Sequence, residues 1–122
     1  MANEITLSVY AQVVNGNFTS RFQPGNVQIT QTTLGSHAPI VVVGTSEEDM
    51  SFGDISTVGL VAMRNLDSTN YVQFGPKSAG VMVAFGRLKA GEVAVFRLDS
   101  AVTMRWVANT ASVKVQVWAL ES

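Results

Sequence analysis

Two carboxylates at the ends of one predicted strand are the residues best placed to do chemistry. Glu92 and Asp99 flank the run 93–98, in which Arg97 is the one residue that is not apolar. Glycoside hydrolysis uses a pair of carboxyl groups, one of them held in an apolar pocket so that it stays protonated. Lys89-Ala90-Gly91, however, is typical of a hairpin turn, and Glu92 fits that turn better than an active site. Because no nucleophile–base pair accompanies the carboxylates, we predict that the chain is not an enzyme.

Potential metal ligands are few. His37 is the only histidine and there is no cysteine, whereas a zinc site or a histidine-based triad needs several such partners. Glu47, Glu48, Asp49 and Asp54 could offer oxygen ligands to Ca²⁺, but their spacing matches no EF-hand. A run of acids in a loop is more often a solvated surface. We therefore expect neither a metal nor a cofactor.

Four arginines, Arg64, Arg87, Arg97 and Arg105, stand at strand positions amid apolar neighbours. A guanidinium tolerates partial burial, so these side chains could form ion pairs across a subunit contact. The alternative is that they lie at strand ends and extend to water. Binding to phosphates shows as a clear excess of basic residues, which this chain lacks, so no nucleic-acid partner is expected.

Two aromatic residues are candidates for interface anchors. Trp118 shares a predicted strand face with Lys114 and Gln116, which suggests exposure, whereas Trp106 has the neighbours of a core residue. One exposed Trp is too little for a carbohydrate platform and fits a protein interface better. With the loop acids, the predicted interface comprises Trp118, Tyr71, Arg64, Arg97, Arg105, Glu47, Glu48 and Asp49.

The elements that position these residues are short strands. Period-2 alternation and β-branched runs separated by turn signals predict nine or ten of them, and no helical periodicity is sustained. We expect a type I′ hairpin turn at Asn15-Gly16, a strand that stops at Pro24-Gly25 and a new one from Val27. We also expect a buried strand over 40–43, a projecting loop over 44–54 and one continuous strand over 81–88.

This pattern predicts an all-β fold in a single domain over residues 1–122. A two-sheet antiparallel β-sandwich suits a chain of this length, and a jelly roll is our preferred topology because it manages strand edges in a small body. An immunoglobulin-like sandwich remains an alternative.

Composition favours association with other subunits. The net charge is −1, charged residues make up 14% and hydrophobic residues 47% of the chain, and the mean hydropathy is +0.24. An average globular protein has about 25% charged residues, and near-zero charge removes repulsion between monomers. No apolar run is long enough to span a membrane, and no signal peptide is recognisable at the start. We expect a homo-oligomer without a membrane partner, made in the cytoplasm.

Several short motifs resemble those of small virion proteins of tailed bacteriophages. They are Gly44-Thr45-Ser46-Glu47, Gly53-Asp54-Ile55-Ser56-Thr57, Asn65-Leu66-Asp67 with Asn70-Tyr71-Val72, and Leu88-Lys89-Ala90-Gly91-Glu92. The resemblance implies a β-sandwich virion component, and the leading hypothesis is a capsid decoration or cement protein that contacts itself and the major capsid protein. The alternative is a tail, baseplate or host-glycan-binding module. The resemblance carries no catalytic residue.

Overall fold

The computed structural model describes residues 3–99 and 101–122, and every regular element within them is a β-strand. The chain divides into two compact units, residues 1–33 and 34–122, which we call the hairpin unit and the body. No helix in the described ranges has the length and apolar character needed to cross a bilayer. The all-β prediction is confirmed, whereas the single domain over residues 1–122 stays a prediction.

The hairpin unit consists of two antiparallel strands, β1 (Ile5–Asn15) and β2 (Phe18–Ile29). Gly16 and Asn17 form the two-residue turn between them. A type I′ turn needs positive φ at both central residues, but only Gly16 has one, at 59°. That pattern matches a type II′ turn, with Gly at the first central position. The hairpin is therefore confirmed and the predicted turn type is wrong.

β2 runs on through Pro24, where the sequence predicted a stop. The pairing with β1 shifts by one residue between Phe22 and Gly25, which makes a β-bulge. A bulge contains an unpaired position that tolerates the missing N–H of proline, and Gly25 adopts a φ of 85° there. The segment from Val27 is thus the second half of β2 rather than a new strand.

One face of the hairpin is mostly apolar, with Asn15 and Ser20 as its polar members. Cross-strand partners share a face, and the pairing places nine apolar side chains together. We call this set the apolar hairpin face: Ile5, Leu7, Val9, Ala11, Val13, Phe18, Phe22, Val27 and Ile29. Phe18 and Phe22, near the turn, are each 62% exposed. An isolated two-stranded hairpin is marginally stable in water, so this face needs a partner.

The body is built from two antiparallel sheets. The bounds of their strands are β3 Ser36–His37, β4 Ile40–Val43, β5 Glu48–Asp49, β6 Val58–Asn65, β7 Val72–Ser78, β8 Val81–Met82, β9 Gly86–Leu88, β10 Val93–Arg97, β11 Met104–Ala108 and β12 Val113–Glu121. Sheet I has the order β10-β6-β12, and β12 also pairs with β3 and β4. Sheet II has the order β5-β11-β7, and β7 also pairs with β8 and β9.

The two sheets pack face to face over one core. β12 shows the principle, because Val113, Val115 and Val117 are buried while Lys114, Gln116 and Trp118 alternate with them outward, as predicted. The buried side chains of sheet I meet those of sheet II, which include Val72, Phe74, Leu88, Met104, Trp106 and Ala108. The two-sheet antiparallel β-sandwich is confirmed; the jelly-roll topology stays a prediction.

Three predicted segments differ from the structure. The strand over 40–43 is not buried: Ile40 and Val42 are 62% and 57% exposed, because only one face of β4 meets the core. The loop over 44–54 contains β5, which pairs with β11 and is therefore not free to project. The strand over 81–88 is split into β8 and β9 by a one-residue shift in its pairing with β7.

Candidate interaction surface

Three of the predicted interface residues form an ion-pair cluster at the edge of sheet II. Arg105 Nε lies 2.7 Å from Asp49 Oδ1, and Arg105 Nη1 lies 3.3 Å from Glu47 Oε1. The hydrogen bond from Arg105 is the main reason that the pKa of Asp49 is below its usual value, and Lys77, 3.7 Å away, acts in the same direction. These charges are therefore balanced within the chain.

The remaining acid and the predicted tyrosine anchor also have partners inside the body. Glu48 Oε1 accepts a hydrogen bond from the Gly44 amide at 3.2 Å. The guanidinium carbon of Arg87 lies 4.1 Å from the centre of the Tyr71 ring, which is a cation–π contact. Tyr71 is half-buried, and Arg87 covers its ring.

The other three predicted residues, Trp118, Arg64 and Arg97, share the outward side of sheet I. In the register of the sheet, Trp118 lies beside Ala62, which lies beside Val95, and Arg64 lies between Gln116 and Val93. The sheet thus brings together residues that are far apart in the chain. We call this surface the outer face: Ile40, Val42, Ala62, Arg64, Val93, Val95, Arg97, Lys114, Gln116 and Trp118.

The outer face is apolar and carries charge of one sign. Val93 is 59% exposed, Trp118 42% and Val95 38%, in addition to the exposed side chains of β4. Its charged members, Arg64, Arg97 and Lys114, are all basic. In the register of the sheet, Gln116 and Arg64 lie between Ile40 on one side and Val93 on the other. Exposed large apolar side chains grouped on one face are typical of a protein–protein contact, and the basic residues among them would favour a partner that is neutral or acidic.

A second feature is an apolar groove in the body, between β10 of sheet I and β7 of sheet II. Its volume is about 540 Å³, and its lining includes Phe74, Phe85, Phe96, Leu98, Val102 and Met104. Phe74 stacks on Phe96 with ring centres 6.3 Å apart, and Phe85 meets Phe74 edge-on at the same distance. Phe85 is 81% exposed.

β10 borders this groove and is an edge strand of sheet I. The backbone N–H of Asn65 donates to the Glu92 carbonyl, and the backbone N–H of Leu98 donates to the Gly59 carbonyl. In an antiparallel ladder, bonding alternates along the strand, so the even-numbered residues bond to β6. The N–H and C=O groups of Val93, Val95 and Arg97 therefore point away from the sheet.

The residues considered for catalysis take part in local turns. Glu92 Oε1 accepts from the Lys89 amide at 2.7 Å, and Asp99 Oδ1 accepts from the Ala101 amide at 3.0 Å. His37 lies on β3, paired with Ala119. Among the described residues, no three His, Cys, Asp or Glu side chains gather as a metal site would require.

The sequence-based selection missed the aliphatic part of both surfaces. Ile40, Val42, Val93 and Val95 were not selected, although runs that are apolar on both faces are a signal of either double burial or an assembly contact. Phe85 was missed because the run 81–88 resembles one regular strand. Only the packing of the sheets separates exposed from buried members of such runs.

The fold places the chain in a class: an all-β protein whose body is a two-sheet antiparallel β-sandwich. Comparison with protein-family models, with curated proteins and with solved structures gave no match. The resemblance to small phage virion proteins stays a prediction.

Proposed function

We propose that the chain is a non-enzymatic structural protein that attaches to a larger protein assembly through the outer face. In its most specific form, the proposal is a decoration or cement protein on the head of a tailed phage, in contact with copies of itself and with the major capsid protein. The observation that carries it is that five large apolar side chains are exposed on one side of sheet I: Ile40, Val42, Val93, Val95 and Trp118. The phage setting rests on the sequence resemblance.

The mechanism is burial of apolar surface coupled to assembly. Covering a Val, Ile or Leu side chain completely is worth about 1.5–3 kcal/mol, and a half-exposed one about half of that. Part of this gain is lost to the entropy of association. A protein that binds only the assembled shell stabilises the shell by mass action, and each attached copy adds to the effect.

The alternative is a tail, baseplate or host-glycan-binding module. Flat sugar-binding sheets present several aromatic rings on one face, whereas Trp118 is the only aromatic among the described residues of the outer face. The structural role is therefore the function that the geometry supports better.

Two valines of equal exposure allow a matched test. Val42 on the outer face and Val81 on β8 are each 57% exposed. In co-sedimentation with heads assembled from the major capsid protein of the same genome, Val42→Asp should weaken attachment at least about tenfold, which corresponds to 1.4 kcal/mol. Val81→Asp should bind as the unmodified protein does. Equal binding by both variants would contradict the outer face as the attachment surface.

A further inference from the structure

The hairpin unit and the body each carry a feature that is incomplete within that unit. The hairpin has an apolar face that ends in two exposed phenylalanines, Phe18 and Phe22. The body has an aromatic groove of about 540 Å³ and, along its rim, the edge strand β10. A hairpin needs a surface for its apolar face, and an open edge strand is a template for another strand.

We propose that β2 of one copy of this chain adds to the β10 edge of a second copy and inserts Phe18 and Phe22 into its apolar groove. This is strand addition, in which main-chain hydrogen bonds supply affinity and pockets for alternate side chains supply specificity. The inference rests on the proposed function only in that it treats the chain as a protein that assembles; it names the second copy as the partner at this site.

The backbone pattern of β2 fits this role. Asn15 and Phe18 close a two-residue turn, so they form a hydrogen-bonded pair, and bonding to β1 then alternates along β2. Phe18, Ser20 and Phe22 bond to β1, while the N–H and C=O groups of Thr19 and Arg21 point outward. Thr19 and Arg21 are therefore available to pair with Val93, Val95 and Arg97 of β10.

The side-chain faces then fall on the correct sides. Residues directly opposite each other in a sheet share a face. Thr19 and Arg21 would lie beside Val93 and Val95, on the solvent side of sheet I. Phe18 and Phe22, on the other face of β2, would lie on the side of Ala94, Phe96 and Leu98, which line the groove. The part of β2 between the turn and the bulge, Phe18–Phe22, also has the same length as β10, since both are five residues long.

We take a second copy as the occupant because the hairpin of that copy supplies a strand for the β10 edge and apolar side chains for the groove. The segment has an open edge, large apolar side chains at alternate positions and a polar opposite face with Thr19 and Arg21. Exchange of one element between identical protomers is a low-cost route to oligomers, and a head-to-tail contact of this type gives a ring when the rotation closes.

Cross-linking between two singly substituted proteins tests the contact, because the chain has no cysteine of its own. Ser20 lies between Phe18 and Phe22 on the same face of the hairpin, so Ser20→Cys leaves both phenylalanines in place. Ser20→Cys protein is mixed with Phe85→Cys protein and treated with a short bis-maleimide, so that a 20–85 link joins two copies. Val14→Cys is the control for Ser20→Cys, because Val14 is also exposed but lies on the opposite face of the hairpin. We expect at least about fivefold more of the 20–85 product, identified by mass spectrometry, than of the 14–85 product.

Sedimentation velocity of the full chain supplies a second readout. Phe22→Ser should shift the protein from oligomer to monomer, whereas Val14→Ser should not, and both substitutions are at exposed positions with little effect on folding. Equal yields of the two cross-links, or an unchanged oligomer in Phe22→Ser, would overturn the proposal. These assays contain no phage heads. A negative result in them would therefore contradict the contact between copies and would leave the attachment through the outer face, which is tested by Val42→Asp, unaffected.

Discussion

Asn65 is the one buried polar side chain among the described residues, and it connects three segments of the body. Its Nδ2 donates to the carbonyls of Asn70 and Leu88, at 2.9 Å each, and its Oδ1 accepts from the Asp67 amide at 2.8 Å. Asp67 in turn accepts from the Asn70 and Thr69 amides, which lowers its pKa from the usual value. A single amide side chain thus fixes the end of β6, the turn that follows it and β9.

Replacing Asn65 by Ala should therefore destabilise the protein by about 2–4 kcal/mol, because each buried polar group that loses its partner costs about 1–3 kcal/mol. Urea unfolding followed by Trp fluorescence measures this change. Gln116→Ala, on an exposed position of β12, is the control and should remain within about 0.5 kcal/mol of the unmodified protein. A similar stability for the two variants would show that the Asn65 network does not hold these segments.

At the scale of elements, β7 depends on a glycine that no apolar pattern would single out. A Cβ built on Gly75 would lie under 2.5 Å from the Val83 carbonyl oxygen and 2.8 Å from the Phe85 nitrogen, which are both backbone atoms. The segment between β8 and β9 is hydrogen-bonded to β7 here. The Val83 N–H donates to the Pro76 carbonyl, and the Phe85 N–H donates to the Phe74 carbonyl. This close approach is where the pairing shifts and where Phe85 turns outward.

Gly75→Ala should consequently be among the most damaging single substitutions, with a loss of about 3 kcal/mol or more, because the backbone must separate to admit the methyl group. Gly44→Ala is the matched control, since a Cβ at that position would have no atom within 4 Å and the φ of Gly44 is not positive. Thermal unfolding should show a melting temperature for Gly75→Ala at least about 8 °C below that of Gly44→Ala. Equal melting temperatures would mean that β7 and residues 83–85 can move apart freely.

At the scale of the whole molecule, the two proposed contacts differ in charge. The outer face has three basic residues, Arg64, Arg97 and Lys114, and no acidic one. The groove is almost entirely aromatic and aliphatic, with one residue of each sign, Arg97 and Asp99, among those that line it. The salt dependence of attachment to a shell should therefore differ from the salt dependence of association between copies.

Raising NaCl from 0.1 to 1 M shortens the Debye length from about 10 to 3 Å and screens exposed charges. We expect attachment to the heads to weaken severalfold over this range. The proposed oligomer, followed by sedimentation velocity, should be unchanged, because apolar burial is not screened. Lys114→Gln should reduce the salt dependence of attachment without changing the oligomer. Attachment that is insensitive to salt would contradict a role for the basic residues of the outer face.

Much of the fold was predictable because strand patterns are local. Alternation in β12 distinguished its inward from its outward residues correctly, and the neighbours of Trp106 and Trp118 along the chain were enough to assign the first to the core and the second to the surface. The bulge at Pro24-Gly25 and the division of 81–88 were not predictable, since both are shifts of pairing between strands. Strand pairing depends on partners that are distant in the chain.

The predicted interface residues also divide into what local sequence determines and what strand pairing determines. That Arg64, Arg97 and Trp118 stand on strands follows from the sequence; that they share one face with Ile40, Val42, Val93 and Val95 follows from the order β10-β6-β12-β4. Glu47 and Asp49 were selected as loop acids and Arg105 as a strand arginine that could form an ion pair across a subunit contact. Folding brought the guanidinium of Arg105 to within 3.3 Å of both carboxylates of its own chain. Sequence by itself determined the class of secondary structure, the low charge and the surplus of apolar side chains, because these are properties of composition and of neighbours along the chain. Tertiary structure alone decided which apolar side chains stay exposed and which charges are already paired, because that depends on contacts between strands far apart in sequence.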